Sequence, residues 1–81
     1  MYKEKLKQQI EKDIQGVVVV NINDNLNTKQ DQFRVNLVYR YKKVLYAFWM
    51  PYKTKVYETF GDDYLVSNFV NNLIKEIRKK G

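Results

Sequence analysis

Residues 33–50 read FRVNLVYRYKKVLYAFWM, and this stretch decides the fold. Phe33, Val35, Leu37, Tyr39 and Tyr41 alternate with Arg34, Asn36, Val38 and Arg40. A period of two is that of a strand with one face buried and one face open. A Lys42-Lys43 turn leads into Val44–Met50, a second apolar run. If that turn has two residues, Tyr41 stands opposite Val44, and Tyr39, Leu37 and Val35 face Tyr46, Phe48 and Met50. Every one of those side chains then lies on one face. The other face carries Arg40 with Leu45, Val38 with Ala47, and Asn36 with Trp49. Register and hydrophobic pattern agree, although Lys-Lys is not a favoured dipeptide for such a turn.

Upstream, Val17-Val18-Val19-Val20-Asn21-Ile22 is a β-branched run suited to a strand. Being apolar on both faces at its start, it predicts a central strand or one covered on both sides. Residues 23–31 (NDNLNTKQD) form a polar loop. Tyr2, Leu6, Ile10 and Ile14 recur every four residues, the stripe of a short helix over residues 2–15 with Gly16 as its stop. Downstream, Pro51 ends the pairing or marks a sheet edge, and residues 52–59 read best as a continuation of the strand. Leu65, Val66, Phe69, Val70, Leu73, Ile74 and Ile77 give a broad apolar face to a helix from about Asp62 to Lys79. Its acidic start and basic end suit the helix dipole.

The expectation is an α+β fold in α-β-β-β-α order, with residues 1–81 as a single domain. Its three-stranded antiparallel meander carries two helices packed mainly on the aromatic face. Arg34, Asn36 and Arg40 on the outer face argue against a helix on each side.

Catalytic chemistry finds little purchase. The chain has no histidine and no cysteine, which removes the commonest general base, metal ligand and thiol nucleophile. Ser67, the only serine, has Val66 and Asn68 as neighbours and no adjacent base. Asp62-Asp63 is accounted for by helix capping. Residues 21–25 share the composition of a calcium loop but lack its turn glycine and closing glutamate. No enzyme activity, metal or cofactor is expected.

A net charge of +6 favours polyanionic partners. The longest apolar run, Val44 to Pro51, is far short of the ~20 residues of a membrane span, and residues 1–11 hold no apolar signal core. With no cysteine to staple it, the protein is expected to be soluble and cytoplasmic. Abundant Lys, Asn, Tyr and Ile, against a single Ala47 and a single Pro51, point to AT-rich coding, as in a low-GC bacterium or its phages.

The α-β-β-β-α order resembles that of the double-stranded-RNA-binding domain. The resemblance covers the order of elements. That family sets lysines at the start of its second helix, where phosphate meets the helix dipole. Here the matching positions are Asp62 and Asp63, which repel phosphate, and the family's loop motif has no counterpart. None of its site residues is carried over.

What remains is the outer sheet face. Arg34, Asn36, Arg40 and Trp49 should lie near one another there, with Lys42 and Lys43 at the rim, a combination that grips phosphates and stacks on bases. The leading expectation is a small non-enzymatic binding protein that contacts nucleic acid through this face. The alternative is an inhibitor or adaptor of the kind phages and mobile elements aim at a host protein, anchored by Trp49, Tyr52 and Tyr57. A two-fold homodimer through the outer face is compatible with either.

Overall fold

The computed structural model, which describes residues 1–80, orders the chain as α1 (Tyr2–Asp13), β1 (Val17–Asp24), β2 (Gln32–Tyr41), β3 (Val44–Lys53) and α2 (Thr54–Lys80). The strands form one antiparallel sheet in the order β1-β2-β3. The hairpin has the register its alternation requires: Tyr41 pairs with Val44, Tyr39 with Tyr46, Leu37 with Phe48 and Val35 with Met50. Lys42 and Lys43 both take positive φ, 52° and 68°, the backbone of a type I′ turn.

Both helices cover one face of this sheet. Central β2 supplies Phe33, Val35, Leu37 and Tyr39 to the core; α1 adds Tyr2, Leu6 and Ile10, and α2 adds Leu65, Val66, Phe69, Val70, Leu73 and Ile77. Phe48 of β3 meets Phe69 edge to face at 5.4 Å, and Tyr39 stacks on Tyr46 at 5.5 Å. Because α1 lies towards β1 and α2 towards β3, two helices suffice to roof three strands, and the opposite face stays open.

Three expectations need correction. First, β1 is an edge strand, not a central one, and Val18 and Val20 are exposed. A bulge between Val19 and Asn21 explains the unbroken apolar run. Val17 and Val19 face the core before it and Ile22 after it, so the inward positions change from odd to even at Val20. Second, α1 stops at Asp13 rather than at residue 15. Ile14 turns extended (φ −121°, ψ 99°), which keeps its side chain in the core. The Val17 N–H then donates to the Ile14 carbonyl at 3.3 Å across a tight turn, with Gly16 at φ 86°.

Third, β3 runs only to Lys53, past Pro51 on an edge strand that needs no donor there, and helix begins at Thr54. The buried Thr54 ties this junction to the preceding loop: its N–H donates to the Asp31 carbonyl (2.8 Å) and its hydroxyl to the Gln30 carbonyl (2.7 Å). The helix breaks at Gly61 (φ 80°, ψ −168°), a backbone region essentially confined to glycine. The stretch from Asp62 onward is the helix that the apolar pattern predicts.

One polar atom inside the core lacks a partner. The Tyr39 hydroxyl is buried and makes no hydrogen bond, so it carries a desolvation cost that nothing offsets. Tyr39→Phe is therefore expected to leave stability unchanged or raise it by up to about 2 kcal/mol. Urea denaturation measures this, and a clear loss of stability would contradict the assignment.

Candidate functional site

On the open face the strands set out rows of side chains. Val18, Arg40 and Leu45 form the row nearest the turn; Asn21, Val38 and Ala47 follow, then Asn23, Asn36 and Trp49. Arg34 lies opposite Pro51, and Gln32 opposite Lys53. From the Arg40 row to the Lys53 row is eight residues, about 27 Å at strand rise.

The structure places all six candidate residues on this face or at its rim but divides them into two groups. Arg34, Asn36 and Trp49 sit together. The Arg34 guanidinium lies over the Trp49 ring, 4.2 Å from its centre, a stacking that leaves its edge N–H groups free to donate. Asn36 donates to the Asn23 side chain at 3.2 Å, across to β1. The Arg34 N–H donates to the Asn25 carboxamide oxygen at 2.6 Å and its carbonyl accepts from the Asn25 N–H, which pins the start of the β1–β2 loop. Trp49 stays half exposed and borders an open hollow with Asn25, Gln32, Phe33, Arg34 and Pro51.

Arg40, Lys42 and Lys43 make the second group, at the turn. Arg40 lies four residues along β2 from Asn36, about 14 Å, so the expectation of one tight patch is corrected to two basic ends. Around Arg40 and beside it the face is apolar: Val18 and Leu45 share its row and Val38 and Ala47 the next, with Leu45 56% exposed, before Asn23, Asn36 and Trp49 follow.

Charge follows the same division of the molecule. The stretch from Gln32 to Tyr57 holds six cations, Arg34, Arg40, Lys42, Lys43, Lys53 and Lys55, and no carboxylate. The other nine lysines and arginines are matched by nine carboxylates, so the whole net charge of +6 resides in this stretch. No carboxylate projects from the open face; Asp31 borders it at the Lys53 end. Lys53 was missed as a candidate because the sequence leaves the end of β3 undefined. Its place opposite Gln32 is visible once the pairing is carried past Pro51.

Two residues named as protein anchors are not available as such. Tyr52 is buried, and its hydroxyl donates to Asn68 at 2.9 Å. Tyr57 is partly buried and donates to Asp62 at 2.5 Å. The exposed aromatic of this region is instead Phe60, beside Tyr64 on the helical layer.

Tyr57 belongs to a polar cluster at the end of the helical layer. The Tyr2 hydroxyl donates to Asp24, which Lys3 also approaches at 3.8 Å, and the Tyr2 and Tyr57 rings meet edge to face at 6.1 Å. The Tyr57–Asp62 bond spans the break at Gly61 and holds the two helical parts in register. Burial, reinforced by Asp62, pushes the Tyr57 hydroxyl up to about 12, and burial raises Tyr2, Tyr39 and Tyr52 as well. These hydroxyls stay protonated at neutral pH, and those of Tyr2, Tyr52 and Tyr57 act as donors in the framework. Among the described residues no group of three or more acidic, histidine or cysteine side chains is placed to hold a metal ion, and no helix is long and apolar enough to cross a membrane.

No known family model matches the chain, and comparison with curated proteins and with solved structures finds no match either.

The tyrosines make the stability sensitive to alkali. A pKa raised on folding contributes stability that is complete below the unfolded value near 10 and is lost as pH climbs from there towards 12. With no histidine in the chain, no corresponding step is expected near pH 6.5. Denaturation midpoints measured from pH 6 to 11.5 check both; a steep loss between pH 6 and 8 would contradict the assignment.

Proposed function

We propose that this is a non-enzymatic nucleic-acid-binding protein whose open sheet face is the binding surface. The observation that supports it most is the placement of the entire net charge in the β2–β3 hairpin and its exit, beside a face that carries no carboxylate. Cations so arranged cannot neutralise each other and are left for an external polyanion. Arg34, Arg40, Lys42, Lys43 and Lys53 take phosphates at the two ends of the face, Arg34 with the fork geometry that suits them. Trp49, half exposed beside Arg34, supplies a ring edge and partial face against which a base can rest.

A protein partner is the second reading, favoured by the apolar side chains of the face. It would have to bring carboxylates to both basic ends.

Phosphate contact makes affinity salt-dependent. With four or five cations engaged, log affinity should fall against log salt with a slope of about −3 to −4. Arg40→Ala should flatten that slope by about 1. Lys79→Ala, on the exposed end of α2 away from the open sheet face, should change nothing. Titration of labelled oligonucleotides at several salt concentrations measures all three. Equal effects of the two substitutions would mean a diffuse cationic surface with no site.

A further inference from the structure

Resting on that reading, the shape and polarity of the face point to its ligand class: we infer that the nucleic acid is single-stranded. The apolar stripe carries the argument. Val18 and Leu45 flank Arg40 in its row, and Val38 and Ala47 form the next apolar pair towards Trp49, all four exposed or half-exposed and uncovered by any other part of the described chain. An intact duplex turns its phosphates outward and stacks its bases inside, so it offers the stripe nothing apolar and would press an ionic backbone onto it. A single strand has phosphates on one side and free base faces on the other. Its phosphates can reach Arg40, Lys42 and Lys43 at one end and Arg34 and Lys53 at the other, while intervening bases lie on the stripe and against Trp49.

Shape gives the same answer. The major groove of a DNA duplex admits an α-helix or a two-stranded ribbon. This surface is a three-stranded sheet backed by two helices. It is too broad to enter that groove, yet suits an extended strand laid across it.

Self-association through the same face is disfavoured by charge. A second copy would set Arg34, Arg40 and Lys53 against an identical surface with no carboxylate to receive them. The sheet edges offer no easier route. On β1 the Val19 N–H is taken by the Glu11 carboxylate at 2.9 Å and Val20 bulges, while β3 carries Pro51, which has no N–H.

The test uses the whole protein and labelled 12-nucleotide strands of mixed sequence, in DNA and RNA forms, each alone and annealed to its complement. Binding is read by anisotropy and by Trp49 fluorescence at one fixed low salt. Single strands are expected to bind at least about tenfold tighter than their duplexes, since each base stacked or buried adds to affinity. Leu45→Ser removes apolar surface without touching charge and should weaken single-strand binding about fivefold while leaving duplex binding unchanged. Val18→Thr, nearly isosteric and on the same stripe, should act in the same direction if Leu45→Ser disturbs folding. Arg40→Ala should weaken both forms. Duplexes that bind as tightly as single strands, or stripe variants that bind single strands like the wild type, would overturn the single-strand inference and leave the phosphate-binding surface standing. No saturable binding of any form would overturn the nucleic-acid reading itself and direct the search to an acidic protein. A preference between DNA and RNA strands identifies which sugar the face accepts, and either preference supports the inference.

Discussion

The two-residue turn at Lys42-Lys43 holds β2 to β3 in a single register, and the remaining packing depends on it. Both lysines adopt left-handed backbone angles, a conformation that costs an L-residue with a side chain about 1–2 kcal/mol. The cost is met by the face it creates. With Tyr41 opposite Val44, the apolar side of β2 continues onto Tyr46, Phe48 and Met50 of β3. A slip of one residue would turn those side chains to water and bring Leu45, Ala47 and Trp49 inward. The helices could then not close over Val35, Leu37 and Tyr39, which are completely buried.

From that register follows the asymmetry of the molecule. Two amphipathic helices roof one side of three strands, and the aromatic pairs between β3 and α2 and around Tyr57 fill the layer between them. The edges are blunted by the bulge at Val20, by Glu11 and by Pro51. The open face keeps its exposed valines, leucine and tryptophan because no element reaches it. Carboxylates are found on the helices and loops and on the inward side of β1, but not among the residues of β2 and β3. Apolar character and positive charge therefore coincide on one surface, which is what couples this fold to a proposed anionic ligand with stackable groups.

Most of the architecture was legible in the residues, since strict alternation and a two-residue turn leave little freedom to β2 and β3. The four-residue spacing in α1 and the broad stripe beyond Asp62 were equally plain. Three features were hidden for identifiable reasons. In β1 a bulge changes the phase of the inward side chains, so Val17 to Val20 imitate a strand buried on both sides. At residues 54–60, Thr54, Val56 and Thr59 favour a strand by local preference, yet the chain is helical and Thr54 anchors it through contacts to Gln30 and Asp31 far back in the sequence. Tyr52 and Tyr57 look like free anchors because nothing local shows that Asn68 and Asp62 receive their hydroxyls. The candidate residues of the outer face were found by alternation alone. Their separation into two basic ends was a matter of strand rise that one-dimensional proximity obscured.

The location of the ligand surface is best tested by following backbone amide resonances while a short single-stranded oligonucleotide is added. Shifts gathered on Val18, Asn23, Arg34, Asn36, Arg40, Leu45 and Ala47, with the Trp49 indole N–H, would place the ligand on the open sheet face. Shifts gathered instead on Lys3, Lys5 and Lys7 of α1, or spread evenly over all the lysines, would contradict that placement and leave the apolar stripe without a role.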